Sequence, residues 1–155
     1  MTEEYLYAFD LSLSCTGLSI FTNDGKCVFC TSIETKDYDT HPLKLKFIGD
    51  RVLYFRSIYK PFKIIVEQGF SRFNASTQAI FKVNGLINYL FYDVEQIFLP
   101  ATTVKKIILN DGHAKKENIR DYVMSKYPDM SFKNLDESDS FSIGLAYFIR
   151  ENILK

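Results

Sequence analysis

Apolar and polar positions along this chain follow two alternating periods. Residues 4–10 alternate and then run apolar, as a strand does. Gly17-Leu-Ser-Ile-Phe21 reads as a second strand, and Cys27 to Ile33 as a third, with the turn signal Asn23-Asp-Gly-Lys26 between them. The chain therefore opens with an antiparallel meander. A polar stretch from Glu34 to His41 ends at Pro42. Leu45, Ile48, Val52, Phe55 and Tyr59 then recur at helical spacing until Pro61 stops the helix. Ile64 to Val66 is apolar on both faces, which predicts a short, central, parallel strand. Gly69 to Ser76 reads as a polar loop. Ile80, Val83, Ile87, Leu90 and Phe91 form the stripe of a helix over 76–92. Gln96-Ile-Phe-Leu99 is the next strand, closed by Pro100. Thr102 can cap a short helix carrying Val104, Ile107 and Ile108. A helix over 115–126 turns Ile119, Tyr122 and Val123 inward, and a last helix spans about 136–153.

The order β-β-β-α-β-α-β-α-α-α, with right-handed crossovers, predicts one five-stranded mixed sheet with helices on both faces. No repeat, low-complexity tract or linker interrupts residues 1–155, so a single α/β domain is expected.

Composition narrows the function classes. Apolar residues make up 46% and charged residues 25%, so the chain is globular rather than disordered. No run approaches the ~18 apolar residues of a membrane span, and Met-Thr-Glu-Glu lacks the basic start and apolar core of a signal peptide. A soluble, cytoplasmic protein is expected. Three cysteines, Cys15, Cys27 and Cys30, are too few for a disulfide framework. Cys27-Val-Phe-Cys30 has the spacing of half a zinc site, but no second Cys/His pair lies nearby, so both are read as strand residues. Net charge is zero, which argues against binding by general phosphate attraction alone. From Thr102 to Lys126, six Lys or Arg stand against three acids, so local charge is uneven.

Four acids sit at the ends of the best-predicted elements. Asp10 ends the first strand, Glu67 ends the run Ile64-Ile-Val, and Asp136 and Asp139 open the last helix. Asp136, Asp139, Ile143, Ala146 and Arg150 share one helical face, so both aspartates project over the sheet's end if the apolar part covers the sheet. Asp10 and Glu67 meet them if their strands are parallel neighbours. Buried carboxylates need a cationic partner. Four of them suit two hard divalent ions ~3.5–4 Å apart, the arrangement for in-line displacement at phosphorus. Taken singly, Asp136 also suits a cap, Glu67 a solvated strand end and Asp10 a turn with Ser12 and Ser14. Glu137 competes with Asp136 as a ligand.

These residues resemble a family. Asp10 followed by Ser14-Cys-Thr-Gly17-Leu-Ser is similar to the first motif of the RuvC-type Holliday junction resolvases, within the ribonuclease H-like superfamily. Ile65-Val-Glu67-Gln68-Gly-Phe70 is similar to the second, and Asp136-Glu-Ser-Asp139-Ser-Phe-Ser-Ile-Gly-Leu-Ala146 to the terminal helix. The resemblance spans nearly the whole chain. It implies a ribonuclease H-like fold and a metal-dependent endonuclease that nicks four-way DNA junctions. Asp10, Glu67, Asp136 and Asp139 are then the catalytic, metal-binding set, with two Mg2+ (or Mn2+) per site. Lys105, after Pro100, takes the position of a DNA-contacting lysine, with Lys106 beside it. In Lys115-Lys116, Lys116 is the better match for a catalytic lysine, and Lys115 is assigned to DNA. Phe70, Arg72 and Phe73 suit stacking on, or wedging into, a junction.

A homodimer is implied, with much of its interface on the helix at 76–92. Serines after Asp10, where bacterial members tend to have Pro-Gly, and a differing loop Phe70-Ser-Arg-Phe-Asn-Ala-Ser put sequence preference in doubt, and the divergence and small size suggest a phage or viral member. Two other readings use the same residues. One is ribonuclease H-type cleavage of RNA–DNA hybrids, and the other a non-catalytic junction-binding module. An actin-like nucleotide-binding half, suggested by Asp10…Ser14-x-Thr16-Gly17, would need a second half for which the chain is too short.

Overall fold

Strand pairing decides the architecture. In this computed structural model, which describes residues 2–68 and 75–155 (backbone alone at 68, 75 and 76), five strands form one sheet in the order β3-β2-β1-β4-β5. β1 (Tyr5–Asp10), β2 (Cys15–Thr22) and β3 (Cys27–Glu34) are the antiparallel meander. β4 (Pro61–Gln68) lies parallel to β1, and β5 (Glu95–Pro100) parallel to β4. Gly25, at φ 92°, makes the β2–β3 turn, where a side chain would be strained.

The period of two along β1 and β4 divides the core. Tyr7, Phe9, Ile64 and Val66 face α1 (His41–Ile58) and α2 (Ala75–Leu90), which supply Ile48, Val52, Phe55, Val83 and Ile87. Leu6, Ala8 and Ile65 face the other way. There they pack with α3 (Ala101–Leu109), α4 (Lys116–Lys126) and α5 (Leu135–Arg150) through Val104, Ile108, Ile119, Val123, Phe141 and Phe148. Both faces of the sheet are thus covered, and the expected mixed α/β sheet is the one observed.

Parity also places the acids. Phe9 pairs with Val66, so Asp10 and Glu67 follow side by side on neighbouring parallel strands. Both continue the series that faces α5, since Ala8 and Ile65 lie on that side.

Three details differ from the sequence reading. Thr102 does not cap α3; the chain enters that helix directly from β5, with Pro100 at the N-cap and no side-chain cap bond. Tyr122 is exposed, because Ile119 and Val123 already fill the α4 contact. α5 ends at Arg150 rather than near 153. Asn152 is left-handed (φ 59°), and the amides of Ile153 and Leu154 turn back to bond the Phe148 carbonyl. Among the described residues, no helix is long and apolar enough to cross a membrane.

Candidate active site

One cavity of about 430 Å³ opens at the carboxyl ends of β1 and β4. Asp10, Glu67, Asp136 and Asp139 all line it, together with Lys105 and Lys116. Apolar walls come from Leu11, Ile80, Val104, Ile119 and Ile143. Three separate stretches of chain deliver the carboxylates, so the fold gathers what the sequence scatters.

Electrostatics in the cavity are those of crowded, desolvated acids. The Asp10 carboxyl is pushed up to about 8, first by burial and then by Glu67 and Asp139. Glu67 is raised by burial, although Lys116 and a hydrogen bond from Asp10 pull the other way. Asp139 is raised by burial despite the Lys116 Nζ at 2.6 Å from its Oδ2. Burial alone would lower the Lys116 ammonium. Contact with Asp139 and the charges of Asp10 and Glu67 more than offset that, and hold it well above the usual lysine range.

Lys116 therefore acts as the counter-ion of the cluster. Among the described residues, no group of three or more His, Cys, Asp or Glu side chains forms a ready metal cage. Asp139 is engaged by Lys116, and Asp10 by Glu67. Sequence reasoning foresaw the shared cavity. It did not foresee that an ammonium and a hydrogen-bonded carboxyl pair hold the acids in place.

The remaining candidates separate by position. Lys105 is in the cavity wall, whereas Lys106 and Lys115 are exposed and do not line it. Phe70, Arg72 and Phe73 lie outside the described residues. Glu137 points away from the cavity. Its Oε2 accepts from Ser32 Oγ on β3 at 2.9 Å, and its Oε1 from the Lys133 amide at 3.2 Å. Cys27 and Cys30 are free, half-buried strand residues, as expected. The loop between β1 and β2 is closed on itself, with Thr16 Oγ1 donating to the Ser12 carbonyl at 2.6 Å.

Gly17 sets how near α5 comes to the sheet. A Cβ there would lie 2.0 Å from the Asp136 carbonyl oxygen and 3.2 Å from Ser140 Cβ. The backbone of α5 would have to move, carrying Asp136 and Asp139 with it. Gly17→Ala is therefore expected to destabilise the fold by about 1–3 kcal/mol, the usual cost of overpacking. Thermal melting checks this, and an unchanged melting temperature would contradict the close approach.

No protein-family model matches the sequence, and no curated protein does. Solved structures match over nearly the full length. RuvC of Thermus thermophilus is 20% identical, covers 97% of this chain and 98% of its own, and superposes with a TM-score of 0.78. T. thermophilus RuvC in complex with Holliday junction substrate is 17% identical, with 96% and 94% covered and a TM-score of 0.81. The fold is ribonuclease H-like. Fowlpox virus resolvase, solved with its substrate Holliday junction DNA, matches at 20% identity and a TM-score of 0.61, covering 97% of this chain and 99% of that one. At such identities the likeness is one of fold: a ribonuclease H-like sheet, here with its acids at the carboxyl ends of β1 and β4 and the start of α5.

Proposed function

We propose that this chain is a RuvC-type, metal-dependent DNA endonuclease that nicks four-way junctions and related branched DNA. The observation that carries the reading is the cavity shared by Asp10, Glu67, Asp136 and Asp139 with two lysines. The fold shared with two resolvases solved on Holliday junctions supports the choice of substrate.

The donor set fits a hard cation. The cavity's ionisable lining is carboxylate and ammonium, with no thiol or imidazole among its described residues. Oxygen-only sites suit Mg2+ or Mn2+. Asp10, Glu67, Asp136 and Asp139 would hold two such ions, which supply an activated water and charge neutralisation at the phosphate. Lys116, already drawn into the acids, stabilises negative charge developing on the phosphate. Lys105 meets the strand from the cavity's wall, and Lys106 and Lys115 meet phosphates outside it. Leu11, Ile80 and Ile143 limit water around the reacting groups. Cleavage leaves a 5′-phosphate and a 3′-hydroxyl, following the resemblance. Phe70, Arg72 and Phe73 serve the junction centre on sequence grounds alone.

The active form is a homodimer in this reading, with one site per arm of a two-fold junction. The outer face of α2 and the turn that follows it favour it: Phe81 and Tyr89 on the helix are 50% and 75% exposed, Tyr92 just beyond it is 82% exposed, and a Cβ at Gly85 would meet nothing within 4 Å. A bare glycine amid exposed aromatics suits close approach of a second helix. A cytoplasmic phage or viral enzyme is the setting that accords with the chain's small size and its divergence from the bacterial loop pattern.

The test is Mg2+-dependent cutting of a synthetic four-way junction, a flap, a linear duplex and an RNA–DNA hybrid. Paired nicks on the junction are expected, with no comparable cutting of duplex. Preferred cutting of the hybrid would favour a ribonuclease H instead. Tight junction binding with no nicking in any metal would favour a non-catalytic module.

A further inference from the structure

Glu137 lies between the two cavity aspartates of α5 in sequence, yet it is buried on the opposite side. It is only 7% exposed. At 3.6 residues per turn it sits ~200° around the helix from Asp139.

Its contacts form a closed network. Ser32 Oγ donates to Glu137 Oε2 at 2.9 Å and accepts from Asn134 Nδ2 at 3.0 Å. Asn134 Oδ1 accepts from the Glu137 amide at 3.0 Å, which caps α5. Glu137 Oε1 accepts from the Lys133 amide at 3.2 Å. The Ser32 hydroxyl uses its one proton and a lone pair, so it is satisfied. Further along the same turn, Ser140 Oγ donates to the Glu137 carbonyl at 2.8 Å and lies 2.7 Å from Ser19 Oγ on β2.

A helix cap does not require this. Asn134 supplies the cap by itself. A capping-box acid would return to the N-cap amide, whereas Glu137 bonds the residue before the cap and reaches a strand 105 residues away. A buried carboxylate is costly unless its bonds are complete. Here each oxygen accepts a bond, and both bonds tie the first turn of α5 to its entry segment and to β3.

We propose that Glu137 is a positioning residue: with Ser32 and Asn134 it fixes the rotation and height of the first turn of α5, and so aims Asp136 and Asp139 into the cavity. The claim rests on the reading of those aspartates as cation ligands. Supports of metal ligands are typically worth 10–100-fold in affinity. Because Glu137 does not line the cavity that holds Lys105 and Lys116, metal-free junction binding is expected to be independent of it.

The experiment is Mn2+ binding, read by electron paramagnetic resonance without DNA, on the wild type, Glu137→Ala, Glu137→Gln and Ser32→Ala. Thermal melting and metal-free junction affinity are measured on the same samples. Glu137→Ala is expected to bind Mn2+ about 10–100-fold more weakly while folded and with unchanged junction affinity. Ser32→Ala should lose less, and Glu137→Gln, which keeps the shape and one acceptor, should recover most of the loss. Wild-type Mn2+ affinity in Glu137→Ala overturns the proposal. So does a loss of Mn2+ and junction binding together, in step with the folded fraction. If Glu137→Ala fails to fold, unaltered Mn2+ affinity in Ser32→Ala overturns it. A wild type that binds no Mn2+ removes the functional reading itself, which is a separate failure.

Discussion

Asp10→Asn is expected to abolish junction nicking, by at least ~10³-fold, while junction binding persists or tightens. The magnitude follows the scale for removing a principal group that stabilises transition-state charge. Asp10 is the most strongly perturbed acid of the cavity, pushed up to about 8 by burial and then by Glu67 and Asp139. The amide keeps the shape but offers one neutral oxygen in place of a carboxylate. Below about pH 8 the metal-free carboxyl and the amide are both neutral, and above it the substitution removes a charge that repels phosphate, so binding does not suffer.

The same substitution has a stability signature. The folded carboxyl of Asp10 titrates near 8 against an ordinary value of 3.8. Between those values the metal-free folded state holds a proton that the unfolded chain has released, so stability falls as pH rises and the full cost is reached above about 8. Asn has no such cost. Metal-free Asp10→Asn should therefore melt above the wild type at pH 8, with a gap that narrows toward the ordinary carboxylate range. Normal nicking by Asp10→Asn would sink the assignment of this acid.

Lys116→Met should lower the nicking rate by roughly 10²–10³, again the scale for a lost charge-stabilising donor. Mn2+ affinity should hold or rise, because Asp139 loses the ammonium 2.6 Å away and becomes free to take a cation. The Lys116 side chain is 51% exposed but that of Asp139 only 11%, so removing the ammonium leaves a largely buried carboxylate without its partner and lowers stability as well. The two roles are still separable. A chemical role keeps the rate low in the fraction that stays folded, whereas a purely structural role costs rate only in step with the folded fraction. Single-turnover kinetics alongside thermal melting distinguish them.

Much of this site was legible because it follows from short-range rules. The period of two along Ile64-Ile-Val-Glu67 and Tyr5–Asp10 fixes which side chains share a face, and parallel pairing then sets Asp10 beside Glu67. The 3-4-3 spacing from Asp136 through Ile143 to Ala146 fixes the face of α5, and both apolar members are buried as that requires. What was not legible depends on partners far apart in sequence. Nothing local distinguishes Glu137 from Asp136; the difference is Ser32, on a strand at the other side of the meander. Lys116 as counter-ion depends on how α4 lies against α5, which residue patterns leave open. Thr102 met the local rule for a cap, but the extended N-cap position is taken by Pro100, two residues earlier, so Thr102 already lies inside α3. Gly17 stood out only as part of a motif, whereas its physical role is the contact distance between β2 and α5.

The central claim is that the four carboxylates of this cavity hold divalent ions. Anomalous diffraction from crystals equilibrated with Mn2+ tests it most directly. The account predicts Mn2+ within the cavity bounded by Asp10, Glu67 and Asp139, and its loss from crystals of Asp10→Asn. Mn2+ found only on outlying carboxylates such as the exposed Asp129, with the cavity empty of metal, would contradict it.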